Sequence, residues 1–490
     1  MPVKKNKPQN SQTQQSNSNS GTSKSKPKRR KRPQLSLEQQ EQFDKAFELF
    51  CELVDLDELD EFEPSSPQTV FTSAVVVWML IYQRLNTDAS LETTVKYLVE
   101  TMPRLLPDNK RVREKTLSES TGGYSQARQR LSDQAVDWLA TRVSQSLIDL
   151  SPPWLGDRRM FVVDGTTMAL APEKELRKAF PPASNQHGTS VWPVAQLTVL
   201  HELASGCALM PEVGPMYGPN AVSETTLAIG TFSQLPAHSI VLADSGFGIF
   251  SVAHALHAGE HDLLFRMTKQ RFNSLRKQAE LQSRGEYWKT YAHTWTPSPT
   301  DCKTNPDLPS AAEIAVYLHE IEINAHLTLY LVTTLDEHAN RLADIYERRE
   351  DVEIDIRNLK VVLDTENIRA RSVAMFQKEL KTSVVAYNLV SQFRRHAAEL
   401  NGLPPRRMSF KKTWTTLRIF LLRKTHSDPA AWRASFEQAL YIAMGDKLPV
   451  RNRRKYKRES YRRRPKHCQF EQREIPASKI LTSNVDDPPK

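Results

Sequence analysis

The run 160-MFVVDGTTMAL-170 is the first strong strand signal in the chain. Apolar Phe161, Val162 and Val163 lead without a break to Asp164, and Gly165 follows. A carboxylate at the end of a buried strand is costly unless it is paired, hydrogen-bonded or coordinated. Strand-like runs recur at 194-VAQLTVLHEL-203, 207-CALMPEV-213, 239-SIVLADSGF-247 and 262-DLLFRM-267. Gly206 stands between the first two of these, as a hairpin turn requires, and helical pattern returns at 220–232 and 250–258. A sheet with interspersed helices is the economical arrangement, so the chain reads as mixed α/β. The third of these runs repeats the opening motif: Ile240–Ala243 leads to Asp244, then Ser245 and Gly246. In mixed sheets the carboxyl ends of strands are where sites are built, because loops leave the core there. Taken singly, each aspartate also suits a turn or a helix cap.

Upstream, residues 36–155 read as an all-α module. Phe43, Phe47, Phe50 and Val54 recur at helical spacing until Pro64 and Pro67 interrupt them. Apolar helices follow around 70–85 and 91–98, and 124-YSQARQRLSDQAVDWLATRVSQSL-147 reads as helix, Ser-Asp cap, helix. Arg128 and Arg130 suit either a grip on DNA or an ordinary solvated face. Downstream, 269–310 is irregular and polar, and then 312-AEIAVYLHEIEI-323 and 327-LTLYLVTTL-335 alternate as strands. Residues 269–335 therefore read as a β-rich insertion between 156–268 and 336–400. A helix over 337–362 and a helical stretch over 372–400 come next, with a further helical region over 401–450 beyond Pro404 and Pro405.

The formal net charge of +10 is concentrated in two tails. Residues 1–33 hold ten Lys/Arg and no acid, and residues 451–466 hold ten against Glu459, whereas 38–63 carry eleven acids against Lys45. The first tail, 1–35, has almost nothing to bury and is expected to be disordered. Basic tails at 1–35 and 451–490 suit a polyanion such as nucleic acid, or serve solubility or targeting. Cys51, Cys207, Cys302 and Cys468 stand singly, which argues against a zinc or dithiol centre and fits a reducing, cytoplasmic setting. The N-terminus has no apolar signal region, and the longest apolar run, 70–82, falls short of the roughly 20 residues that span a bilayer. No membrane role is expected.

The stretch 346-YERREDVEIDIRNLK-360 is too polar for a core helix, yet its charges are ordered. On a helical wheel Tyr346, Arg349, Glu353 and Lys360 fall within roughly a 60° arc, beside an apolar stripe of Ile345, Val352, Ile356 and Leu359. Arg349 and Glu353 also make an ordinary i,i+4 pair. If the two aspartate strands are neighbours and this helix packs across them, Asp164, Asp244 and Glu353 converge. Three hard carboxylates, with no thiolate or paired histidines, point to Mg²⁺ or Mn²⁺. Two such ions about 4 Å apart activate a water or a 3′-hydroxyl and stabilise the leaving oxygen of a phosphodiester. Arg349 and Lys360 would hold phosphate oxygens, and Tyr346 would pack on a sugar or donate to a phosphate.

The spacing Tyr346-x2-Arg349-x3-Glu353-x6-Lys360 resembles the third motif of the DDE-type transposases of the insertion sequence 4 family. The resemblance extends in order over roughly residues 70–410, through 124-YSQARQRL-131, the VVDGT holding Asp164, and 178-KAFPPASNQHGTSVWPVAQLTVLHELASG-206. It continues at 220-NAVSETTLAIGTF-232, 241-VLADSGFG-248, 265-FRMTKQ-270, 386-AYNLV-390 and 405-PRRMSF-410. It implies an RNase H-like catalytic core with a β-rich insertion before the glutamate, and a helical N-terminal DNA-binding module. Asp164, Asp244 and Glu353 would hold the two metal ions. It also implies double-stranded DNA as partner, both terminal inverted repeats and target, and a homodimer that pairs the two ends. The mechanism implied is cut-and-paste, in which water nicks the strand and the freed 3′-hydroxyl attacks target DNA.

Relatives pass through a DNA hairpin with an aromatic side chain stacked where a base is flipped out. Trp288, Trp295 and Tyr330 are candidates for that place, or for the core. Arg266 and Lys269 are expected near DNA, with a structural salt bridge as the other reading of Arg266. Glu224 matches a family position with no role assigned to it. His187, His201 and His238 lack metal spacing and read as surface or core residues. A related nuclease without strand transfer, and a catalytically retired DNA-binding descendant, share most of these features.

Overall fold

The computed structural model describes residues 37–449 apart from short stretches at 54, 57, 60–64, 67, 102–105, 187, 363–367 and 422–427. The expectations for 1–35 and 451–490, and those for Val54 and His187, lie outside the described residues. Residues up to Lys447 belong to one unit, and a second begins at Leu448.

Ten strands form one mixed sheet: β1 Met160–Ala169, β2 Pro182–Asn185, β3 Gly188–Glu202, β4 Glu212–Pro215, β5 Ile240–Ala243, β6 Asp262–Arg266, β7 Glu280–Arg284, β8 Trp288–Trp295, β9 Ile314–Asn324 and β10 Leu327–Thr333. Their order is β2-β3-β1-β5-β6-β10-β9-β8-β7, with β4 on β3. β1, β3 and β4 are antiparallel, whereas β5 runs parallel to β1 and β6 parallel to β5. β10 then joins β6 antiparallel, so β7–β10 extend the same sheet. Alternation along β1 and β5 sends Phe161, Val163, Val241 and Ala243 to one apolar cluster and Met160, Val162, Ile240 and Leu242 to another. The second cluster is completed by Leu342, Ile345, Tyr346, Val352 and Ile356, so the residues of the third motif cover that face.

Several expectations are corrected. Residues 269–310 are not irregular: they hold a helix at Lys269–Arg276, strands β7 and β8, and a helix at Pro299–Thr304. The strand expected at 207–213 reduces to a bridge at Ala208, and β4 begins only at Glu212. The helix expected over 337–362 is three pieces: Ala339–Glu347, Glu350–Arg357 and a π turn, Asn358–Val362. At the first junction the bonds tighten to i→i+3, from Arg349 N to Tyr346 O and from Val352 N to Arg349 O.

The N-terminal helices share their core with the C-terminal ones. Every residue of helix Ser73–Leu85 is buried, capped by Thr72, whose side chain accepts from Val75 N. This helix packs with Tyr124, Leu139, Val143, Val385, Phe393, Phe420 and Phe436 in one apolar cluster. Arg128, read as a candidate for DNA, instead pairs with Glu379 on the 27-residue helix Val373–Glu399. Arg84 approaches the same carboxylate at 3.7 Å, and only 2% of the Glu379 side chain is exposed. No described helix is long and apolar enough to cross a membrane.

Removing one partner from a buried ion cluster strands the others without water or counter-charge, at a cost of about 3–5 kcal/mol. Glu379→Ala is expected to lower the unfolding free energy from urea titration by that much, and the midpoint with it. An unchanged midpoint would show that these charges do not join the N-terminal helices to the central one.

Candidate active site

The register of β1 on β5 decides where the aspartates stand. Met160 pairs with Ile240 and Val162 with Leu242. Continuing two residues along each strand brings Asp164 and Asp244 level with one another. Both share the parity of Val162 and Leu242, so both face the side on which helices Ala339–Glu347 and Glu350–Arg357 pack. Asp164 is half-buried, and its Oδ1 accepts from Gly165 N at 2.9 Å. Asp244 Oδ1 accepts from Gly246 N at 2.7 Å, and the loop behind it is tied by Arg271 Nη1 to Ser245 O at 2.8 Å. Arg271 was not singled out from the sequence, because its partner is a backbone carbonyl.

The helices bring the third motif to this face by different routes. Tyr346 is buried, and its hydroxyl donates to Ala243 O at 3.3 Å, one residue before Asp244. That placement corrects the expectation of a sugar or phosphate contact: the ring seats the helix on β5. Arg349 stands at the N-cap of Glu350–Arg357, with Nη2 2.8 Å from Glu353 Oε1 and Nη1 4.0 Å from Asp164 Oδ2. It therefore bridges the two carboxylates. Lys360, in the π turn, donates to Thr166 Oγ1 at 3.0 Å and Thr167 O at 3.1 Å, just past Asp164 on β1. Glu353 is the most open of the acids, with 60% of its side chain exposed.

Glu224 is a fourth carboxylate here. It opens the helix Glu224–Thr231 behind the Ser223 cap, and its side chain lies over Gly165, where a Cβ would collide with it. Burial, then Asp164 and Asp244, push its pKa up. The Asp164 carboxyl is likewise raised, first by burial and then by Asp244 and Glu353, against the lowering pull of the Gly165 amide and Arg349. The sequence pointed to Glu224 only through the family block. The close approach over a glycine next to Asp164 is a feature of the folded backbone.

The remaining candidates are scattered. Arg266 is exposed at the end of β6, opposite Leu331, and its charge is felt at Tyr346. Lys269 is exposed at the start of the next helix. Trp295 is 5% exposed and meets Phe250 edge-on, so it has no face for a base. Tyr330 packs on Phe272 and joins the cluster on the sheet face away from the aspartates, as does Trp295. Of the three aromatics, Trp288 alone packs on the site face, half-buried against His338. His201 is fully buried with both ring nitrogens unpartnered, and burial pushes its pKa down to about 4. His238 is exposed.

Among the described residues, no three carboxylate, imidazole or thiol side chains are close enough together to enclose a metal ion as they stand. The donor set is nonetheless that of a hard divalent cation: oxygen ligands only, on one face, two of them fixed by strand register. Arg349 stands between Asp164 and Glu353, 4.0 Å from the one and 2.8 Å from the other.

Comparison with known proteins finds similarity to transposases. The family model described as "Transposase DDE domain" matches residues 155–389. The transposase InsG of insertion sequence element IS4 from Escherichia coli (strain K12) is 22% identical over 393 residues, spanning 78% of this chain and 84% of its own. A piggyBac transposase synaptic complex with hairpin DNA has 12% identity, 90% and 91% coverage of the two chains, and a TM-score of only 0.35.

A raised folded pKa means that ionised Asp164 opposes folding at neutral pH, and that this cost vanishes once the pH falls below the ordinary carboxylate range. Asp164→Asn is therefore expected to raise the thermal midpoint at pH 7 in chelator-containing buffer. The gain should shrink toward zero near pH 4. A gain that grows on acidification would contradict the assignment.

Proposed function

We propose that this chain, which belongs to the DDE transposases of the insertion sequence 4 type, cuts DNA at the ends of its element and joins the freed 3′-hydroxyl ends to target DNA. The observation that carries this reading is the placement of Asp164 and Asp244 level on adjacent parallel strands, on the face covered by the helix bearing Glu353. The order β4-β3-β1-β5-β6, three strands antiparallel and two parallel, supports an RNase H-like core that β7–β10 extend. The segment divisions expected from the sequence carry over as proposals, with 36–155 as DNA-binding helices, although these share a core with the C-terminal helices.

Asp164, Asp244 and Glu353 would hold two Mg²⁺ or Mn²⁺ ions, with Glu224 as a neighbouring fourth carboxylate. Ions so held supply charge stabilisation of the phosphorane-like transition state and a nucleophilic oxygen from water or a 3′-hydroxyl. The chain's own part is positional. Strand pairing fixes Asp164, and the Gly246 amide with Arg271 fixes the loop of Asp244. Glu353 joins them by leaving Arg349, and the freed guanidinium then faces the site as a bidentate donor to a phosphate. Lys360 adds positive charge beside Thr166. Arg266 and Lys269 would contact double-stranded DNA, and Trp288, half-buried on the site face, would stack on a displaced base. Action on two terminal repeats at once calls for a homodimer, and the setting is the DNA-associated cytoplasm of a prokaryote.

Glu353→Gln is expected to lower cleavage of an end-bearing duplex in Mg²⁺ by at least about 100-fold while leaving duplex binding intact. Glu224→Gln should slow cleavage less and raise the Mg²⁺ needed. Joining of a pre-cut 3′-hydroxyl end to a plasmid distinguishes a transposase from a nuclease without strand transfer. Wild-type cleavage by Glu353→Gln would overturn the assignment of the triad.

A further inference from the structure

The helix Glu350–Arg357 carries Glu350, Asp351, Glu353 and Asp355 within eight residues. A rotation of about 60° about its axis would present Glu350 in place of Glu353. The helix is poorly placed to resist such a rotation. It is two turns long, separated from Ala339–Glu347 by a tightened junction and followed by a π turn. Its buried apolar side chains, Val352 and Ile356, give non-directional contact.

Charged contacts lie at its rear. Asp351 and Asp355, two residues before and after Glu353, point away from the site. The Asp355 side chain is 1% exposed and lies 2.8 Å from Arg406 Nη1, while Arg406 Nε is 3.7 Å from Asp351 Oδ2 and donates to Leu203 O at 2.8 Å. Arg348 Nη2 holds Asp351 at 2.6 Å. Arg394, itself buried, donates to Ser205 O at 2.9 Å. It shares the corner with Asp355 over Gly206, where a Cβ would stand 2.8 Å from Arg394 Nη2 and 3.4 Å from Asp355 Oδ1. Gly206 has φ +76°, and its carbonyl accepts from the Tyr387 hydroxyl at 2.9 Å. The acids flanking Glu353 are thus rooted in the β3–β4 corner, the central helix and the segment Pro405–Arg407. A carboxylate as buried as Asp355 cannot leave its arginine without losing its counter-charge where water cannot replace it.

We propose that Arg406 is a positioning residue for Glu353: by holding Asp355 and Asp351 it fixes the rotation of this helix, so that Glu353 and none of its acidic neighbours is presented to Asp164 and Asp244. The proposal rests on the reading of Glu353 as a metal-binding carboxylate. It gives 405-PRRMSF-410 a role at a site that it does not touch.

The test compares wild type with Arg406→Lys, with the apolar pair Arg406→Met/Asp355→Leu, and with Glu353→Gln. The readouts are thermal midpoint, binding of an end-bearing duplex, the Mg²⁺ concentration for half-maximal cleavage, and Mn²⁺ affinity by electron paramagnetic resonance. Arg406→Lys keeps the charge but loses the two-sided grip, and the apolar pair keeps the burial without direction. Both are expected to bind duplex normally, with Mn²⁺ affinity and Mg²⁺ half-saturation worsened about 10-fold or more, the size seen when groups that orient metal ligands are lost. A folded variant of either kind with wild-type metal dependence overturns the proposal. So does a variant that loses stability and rate together at an unchanged metal requirement, since that is a packing defect alone. If Glu353→Gln cleaves normally, the catalytic reading fails first; if Glu353→Gln is inactive and the Arg406 variants are normal, only the clamp fails.

Discussion

The parallel pairing of β1 with β5 is the constraint on which the rest of this molecule depends. Three residue pairs, Met160 with Ile240, Phe161 with Val241 and Val162 with Leu242, set the level and the facing of everything beyond them. A slip of one residue would turn Asp244 into the cluster of Phe161 and Val163, where an unpaired carboxylate is untenable. Burial on both faces enforces the register, because every side chain from Met160 to Val163 and from Ile240 to Ala243 is buried. Placement of the two aspartates is therefore paid for by the apolar core, and their mutual repulsion is tolerated because the strands cannot shift to relieve it.

How much of this was legible in the sequence depended on whether a feature was local. β1 and β5 stood out because buried parallel strands are uninterrupted apolar runs, and the aspartates stood out because they end such runs. β7 was missed because it is an edge strand with all five residues exposed, so no alternation marks it. The third motif was read as one helix because a tightened turn at Arg348–Arg349 and a widened one at Asn358–Val362 leave the apolar stripe nearly in phase. Periodicity detects the buried face and not the hydrogen-bond pitch beneath it. That difference takes Tyr346 into the core and sends Lys360 to β1. Arg128 resembled a DNA contact because its partner, Glu379, lies 251 residues away.

Charge is handled differently on the two sides of the Glu350–Arg357 helix. At the rear, Asp355 and Arg406 are both nearly inaccessible, with 1% and 11% of their side chains exposed, so water cannot readily take the place of either partner. At the front, Glu353 is 60% exposed and Arg349 17%, so water can replace their bond at small cost. The same Arg–carboxylate chemistry is thus locked on one face and exchangeable on the other, and burial makes the difference.

Arg349 also bears on why a site this acidic folds. Burial first, and then neighbouring carboxylates, raise the pKa of Asp164 and Glu224. A guanidinium between Asp164 and Glu353 offsets part of that repulsion from inside the chain. On the proposed reading, this internal counter-ion would have to be displaced before a cation took its place, which would weaken binding of metal alone. Bound DNA changes that balance, because a phosphate competes for the guanidinium and its negative charge favours cations beside it. On the proposed reading, loading of metal and engagement of DNA would be coupled through one side chain, and such a coupling would be reciprocal: whatever factor DNA added to metal affinity, metal would add to DNA affinity.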